Sequence, residues 1–196
     1  MKTLYYTSLL LICFSSCHFV SDKILDSFKT VNASLEKSNK VLLNQNALGQ
    51  YYFEIKLKGD ENKESVRRAD TLYTATRNAI DLIDKIKEIL SEKDSAGGNA
   101  NISANLLVHT PLGDSLAKVA RQVADDCYAA LVNQNKKPTL DSALNETKMM
   151  IALKDWMGFA FSNKPTVGAL ITLNRLKLEF MRASAIVLSD IDSSLK

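Results

Sequence analysis

Glycine and proline are scarce in this chain, with 7 and 3 copies among 196 residues. Strands joined by tight turns need both, so the scarcity argues against a β architecture and for long helices. Histidine is scarcer still, with 2 copies: His18 falls in the N-terminal apolar region and His109 stands alone just before Pro111. A zinc or di-iron site of the bundle type needs several ligands at helical spacing. No Glu-x-x-His pair, histidine cluster or Cys-x-x-Cys occurs. Gly97-Gly98 lacks the flanks of a phosphate loop. Asp125 and Asp126 are neighbours on a helix and point in different directions, a poor arrangement for a catalytic carboxylate pair. The sequence therefore points away from enzymatic chemistry and implies no catalytic residue, no metal and no cofactor. Net charge is only +3 with the signs interspersed, and no basic block with interleaved aromatics occurs, so nucleic acid is not an expected partner.

Cysteine is also sparse. Cys13 and Cys17 lie in the N-terminal region, which leaves Cys127 alone in the body and excludes an intramolecular disulfide framework. Cys127 falls on the apolar stripe of a helix and reads as a buried, inert thiol.

What is present begins with an export signal. Lys2 is followed by an apolar run from Leu4 to Phe14, then Ser15-Ser16-Cys17. The arrangement resembles a bacterial lipoprotein signal, which is cut before a cysteine whose thiol and amine then carry acyl chains; here that residue is Cys17. Phe14 departs from the pattern, which usually has leucine there. A retained transmembrane helix is the competing reading. A span needs about 20 apolar residues, and the run reaches from Leu4 to Val20 only by including Ser15, Ser16 and His18. A plain cleaved signal is a third. All three place the rest of the chain outside the cytoplasm, in the cell envelope, and the first two anchor it to a membrane facing the periplasm. The expected organisation is a signal peptide or membrane anchor over 1–16 and a single periplasmic helical-bundle domain over 17–196.

The body reads as all-α: four long helices plus a short one. Ser21 and Asp22 can cap a first helix running to about Phe53, with a stripe of Ile24, Phe28, Val31, Leu35, Ser38 and Leu42. The second helix, about Asn62 to Glu92, buries Ala69, Tyr73, Thr76, Ile80, Ile83, Ile86 and Leu90. A long, mobile loop is expected from Asp94 to Asn105. Thr110-Pro111 opens a third helix with Leu116, Val119, Val123, Cys127 and Ala130 or Leu131 on its buried face. A short fourth helix runs from Thr139 or Asp141 to about Trp156. The last has the strongest pattern: Leu170, Leu173, Leu176, Phe180, Ala183, Val187 and Ile191, widened by Leu178, Ala185 and Leu188. A helix apolar on more than one face belongs at the centre of a bundle. Asn163 is its expected N-cap, with Pro165 in the first turn.

Two stretches resemble one family, the N-terminal domain of the gliding-motility and type IX secretion protein GldM, also called PorM. The first is Val20 to Phe28, with Val31-Asn32 and Ser34 to Asn39. The second is the aromatic cluster Trp156, Phe159 and Phe161, then Pro165, Ala169-Leu170, Leu173, Arg175-Leu176, Glu179 and Ala183. The resemblance covers both ends of the body; Gln45 to Asn145 is similar only in helical character. It implies a periplasmic bundle on the inner membrane, the first domain of a dimeric, proton-driven motor component. Three departures bear on that. The apolar segment starts almost at residue 1, it carries Ser15-Ser16-Cys17, and the chain stops after the first domain.

The favoured expectation is a non-enzymatic, membrane-anchored interaction module, accessory to the gliding and secretion machinery, that binds a protein partner or a second copy of itself. The first and fourth helices carry apolar residues beyond one stripe, and Trp156, Phe159 and Phe161 are the candidate partner anchors. Against this, the three aromatics can equally form a cap on the bundle end. Two alternatives stand beside it: a lipoprotein holding an apolar ligand between its helices, and a true motor subunit with a retained transmembrane helix.

Overall fold

In the computed structural model, residues 22–56 and 63–194 are described, and they form an all-α bundle. The lipidation candidate Cys17, the signal and the capping residue Ser21 lie outside the described residues. Four helices are long: α1 (Asp22–Lys56), α2 (Lys63–Lys93), α4 (Pro111–Ala130) and α8 (Thr166–Ser194). Four are short: α3 (Ile102–Leu107), α5 (Lys137–Ala143), α6 (Asn145–Ala152) and α7 (Trp156–Phe161).

The final helix α8 is the axis of the bundle. Each of the other seven helices packs against it. Its buried residues cover most of the circumference, leaving Arg175, Arg182 and Ser189 exposed, and include the expected Leu173, Leu176, Phe180, Ala183, Val187 and Ile191, joined by Ile171 and Met181. The second helix contributes Leu72, Ile83, Ile86 and Leu90 to the same core, and α4 contributes Leu116, Val123 and Cys127. Most of these positions are those read from the sequence; Leu72 and Ala120 are buried where Tyr73 and Val119 were expected, and those two are only partly buried. Burying a side chain of this size stabilises by roughly 1.5–3 kcal/mol.

The helix starts follow local chemistry with one correction. Thr110 caps α4, its Oγ1 accepting from the Gly113 N–H at 3.2 Å, and Pro111 fills the first turn. At α8, however, the first helical bonds go to the Pro165 carbonyl, from Gly168 N at 2.8 Å and Ala169 N at 3.1 Å. Pro165 therefore occupies the capping position expected for Asn163. Asn163 instead turns the chain with φ 56°, a left-handed conformation that asparagine tolerates better than most residues.

The connections differ most from expectation. The stretch 94–105 is no free loop. Asp94 accepts from Gly97 N at 3.0 Å and Asn99 N at 2.7 Å, and the carbonyls of Gly97 and Asn99 accept from Val167 N and Thr166 N. Gly97 takes φ 79°, which the turn requires and which glycine adopts without strain. The chain then enters α3, whose Ser103 Oγ donates to the carbonyls of Phe161 and Lys164. The expected short fourth helix is three pieces, α5, α6 and α7. Leu144 interrupts it with φ −104° and ψ 30°, and Leu153 leaves the helical region altogether. The break at Leu144 is repaired from elsewhere, that at Leu153 by the local cap Asp155. Glu179 on α8 accepts from Glu146 N at 2.8 Å and from Thr147 N and Oγ1 at 3.0 Å, capping α6. Burial raises the Glu179 carboxyl above its ordinary range despite those bonds.

Candidate functional site

The region that α1 and α8 share is where the sequence reading and the structure part company. The expected stripe of α1 included Ile24, Val31 and Ser38. The face turned toward the bundle is instead Leu25, Phe28, Asn32, Leu35, Asn39 and Leu42, with Ile24 and Val31 exposed. Three of the six expected positions are shared; the others slip by one residue, about 100° round the helix. The reason lies on α8. Asn174 is fully buried there. Its carbonyl and Oδ1 accept from Asn39 Nδ2 at 3.1 and 3.2 Å, and its own Nδ2 donates to Asn32 Oδ1 at 2.7 Å. Lys87 on α2 donates to Asn174 Oδ1 at 2.8 Å and pairs with Glu36 at 3.2 Å. Beside them, Lys177 pairs with Asp84 at 2.5 Å. The asparagines face inward together and carry the seam round with them, matching every side-chain amide atom of Asn174 and the Nδ2 of Asn39, while Asn39 Oδ1 has no partner.

The slip leaves a second face of α1 uncovered. Ile24, Val31 and Val41 are exposed on it, Ile24 and Val41 by about half, whereas the exposed Leu43 lies at the angle of Leu25 on the seam side. Ser27, Ser34 and Ser38 lie between them and are exposed too. This face is apolar or small from Ile24 to Val41, with Lys23 at its N-terminal edge, while Asp22, Asp26, Lys29 and Lys40 lie elsewhere around the helix. It adjoins the seam on α8.

The aromatic cluster divides. Trp156 and Phe161 are buried and meet edge to face, with ring centroids 5.6 Å apart and planes at 83°. Both belong to the core at the foot of α8, as a cap on the bundle end would. Phe159 alone is presented to solvent, at 66% exposure, with the Lys164 ammonium 5.8 Å from its ring centre. Asp155 caps the short α7 that carries all three, accepting from Gly158 N at 3.1 Å. Ile151 and Leu153, from the end of the fourth helix expected in the sequence, are exposed nearby in the chain. Burial draws the Lys164 ammonium below its usual range, against the opposing pull of Glu146.

Other residues singled out in the sequence have structural surroundings. Cys127 is buried, and burial pushes its thiol up to about 12. His109 turns the chain between α3 and α4 with φ 54°. Arg175 and Glu36, surface members of the family-like pattern, reach Glu146 at 3.9 Å and Lys87 at 3.2 Å. Among the described residues no helix is long and apolar enough to cross a membrane. No protein-family model matches the chain, and no curated protein matches it.

Proposed function

We propose that this chain is a non-enzymatic interaction module, anchored to a membrane of the cell envelope through Cys17 and facing the periplasm. Its plan resembles that of the GldM N-terminal domain, and its place is that of an accessory component of the gliding and type IX secretion machinery. The observation that carries the reading is the uncovered face of α1. A helix that merely closed a bundle would be polar there; this one offers Ile24, Val31 and Val41 beside a seam already committed to α8. A partner helix, or the same face of a second copy, would complete the packing. The first of the two stretches similar to the GldM family, Val20 to Phe28 with Val31-Asn32 and Ser34 to Asn39, includes Ile24 and Val31 of this face.

The anchor is tested by the mass of the mature N-terminus recovered from native membranes. Loss of Met1 to Ser16 with acyl chains on Cys17 is the expected result. An intact Met1 overturns the lipid anchor and favours a motor subunit with a retained helix. The interaction is tested by a photo-crosslinking residue at Val31 in cells, with Lys118 on the exposed side of α4 as control. Crosslinks to an envelope protein or to a second copy at Val31 alone are expected. Equal labelling at both positions argues against the α1 face.

A further inference from the structure

A cleft of about 270 Å³ opens where α1, α2 and α8 meet, beyond the asparagine seam. Ligand pockets usually span roughly 300–1,000 Å³, so this one suits a ligand on the order of a dozen heavy atoms. Leu43, Tyr73 and Ile80 supply apolar walls. Thr76 is the unusual member. It is only 4% exposed, and its Oγ1 has no hydrogen-bond partner.

Among the described residues Asn39 Oδ1 and Trp156 Nε1 are also buried without a partner, but of the three only Thr76 lines this cleft. Thr30, Thr71 and Thr172 return their hydroxyls to the carbonyl four residues back in the helix. The buried Thr147 and Thr166 give theirs to Glu179 and to the Asn99 carbonyl. Thr76 does neither, although it sits in the middle of α2 with a carbonyl one turn behind it. Buried polar groups are almost always matched, and leaving one unmatched opposes folding. Thr76 lines the cleft with its hydroxyl oxygen just beneath the surface, so a molecule entering there would meet the unmatched group once the side chain turned toward it.

The charges at the edge narrow the class. Arg77 and Asp81 stand one turn apart with opposite sign, and Asp84 is already held by Lys177 at 2.5 Å. Among the described residues the lining charges, with Lys177 beside Asp84, cancel. We infer that the cleft binds a small uncharged amphiphile: an apolar ring or short chain bearing one hydroxyl or carbonyl that hydrogen-bonds to Thr76 Oγ1.

The test uses the full chain in lipid nanodiscs, with ¹³C-labelled isoleucine, leucine and threonine methyls, titrated with 1-naphthol. Empty discs give the free probe concentration. Saturable shifts at Thr76, Ile80 and Leu43 are expected. Thr76→Val keeps the shape and removes the hydroxyl, so it should weaken naphthol binding about threefold to tenfold, the worth of one hydrogen bond. Its unfolding temperature should be unchanged or higher, since no internal bond is lost. Leu43→Trp, at a position 42% exposed, fills the mouth without entering the core and should abolish the shifts. No saturation, shifts centred elsewhere, or unaltered binding by Thr76→Val would overturn the inference.

Discussion

Asn39 and Asn174 face each other across the α1–α8 seam, 135 residues apart in sequence and 3.2 Å apart between Nδ2 and Oδ1. An asparagine at such a position fixes which residues oppose which, because any slip leaves an amide buried and unmatched. Asn174→Leu removes the side-chain acceptor of Asn39 and Lys87 and the donor to Asn32 at once, leaving Asn39 the Asn174 carbonyl and Lys87 the Glu36 pair. It should cost about 2–3 kcal/mol, read as a lower urea midpoint. Asn39→Leu combined with Asn174→Leu should recover part of the loss, since both amides are then gone. A single variant as stable as the parent would show that the seam does not depend on this pair.

Asp190 ties the end of α4 to α8. Its Oδ2 accepts from the N–H groups of Val132 and Asn133, both at 2.8 Å, and Lys136 lies 3.3 Å from Oδ1. Burial alone would raise this carboxyl, but the two N–H groups and the ammonium hold it below its ordinary value. A depressed carboxyl contributes stability that is present above the unfolded-state value near 3.8 and lost as pH falls through the lower folded value. Unfolding midpoints should therefore drop on acidification below about pH 4, and Asp190→Ala should flatten that drop. An acid limb equally steep in Asp190→Ala would assign it to other groups.

Gly113 packs so closely on α3 that a Cβ there would lie 1.9 Å from the Leu107 carbonyl oxygen. Backbone cannot swing aside as a side chain can, so the α3–α4 corner would have to open. Gly113→Ala should destabilise by about 1–3 kcal/mol or more. Gly98→Ala, where a Cβ meets nothing within 4 Å, is the matched control and should change little.

The three aromatics of α7 should separate cleanly on mutation. Trp156→Ala and Phe161→Ala empty core volume and should cost about 3–5 kcal/mol each. Phe159→Ser should leave the melting temperature within a degree or two, on the order of 0.5 kcal/mol, as surface substitutions do. Any partner contact at this end of the bundle must then be read from Phe159→Ser alone. Weak pull-down by the other two would reflect unfolding.

The helices that bury one continuous face were legible from spacing alone: Ile83, Ile86 and Leu90 on α2, and Leu173, Phe180 and Val187 on α8, lie where a 3.6-residue period puts them. The face of α1 was not, because counting apolar residues favours Ile24 and Val31 over Asn32 and Asn39. Only Asn174, at the far end of the chain, gives the asparagines a reason to point inward. The six residues of α3 are too few to show a period, and they follow a run of glycine, asparagine and serine that reads as loop. The break at Leu144 carries neither glycine nor proline. Its stability comes from the Glu179 cap, a tertiary bond with no local signature. Likewise nothing near Thr76 in sequence marks its hydroxyl as unmatched.

The direction of α1 relative to α8 has a mechanical consequence. Leu43 shares the cleft with Ser184, while Lys29 and Ala33 share a shallow hollow with Val167 and Leu170, so the two helices run the same way. A pull on residue 22 along the bundle axis would drag α1 lengthwise over α8. That loading strains the contacts from Leu25 to Leu42 and the asparagine amides together, as in a lap joint. Peeling would break them one at a time. Tension applied at the first helix would reach the axis through shear on this joint, with the asparagine amides in the middle of the seam loaded together.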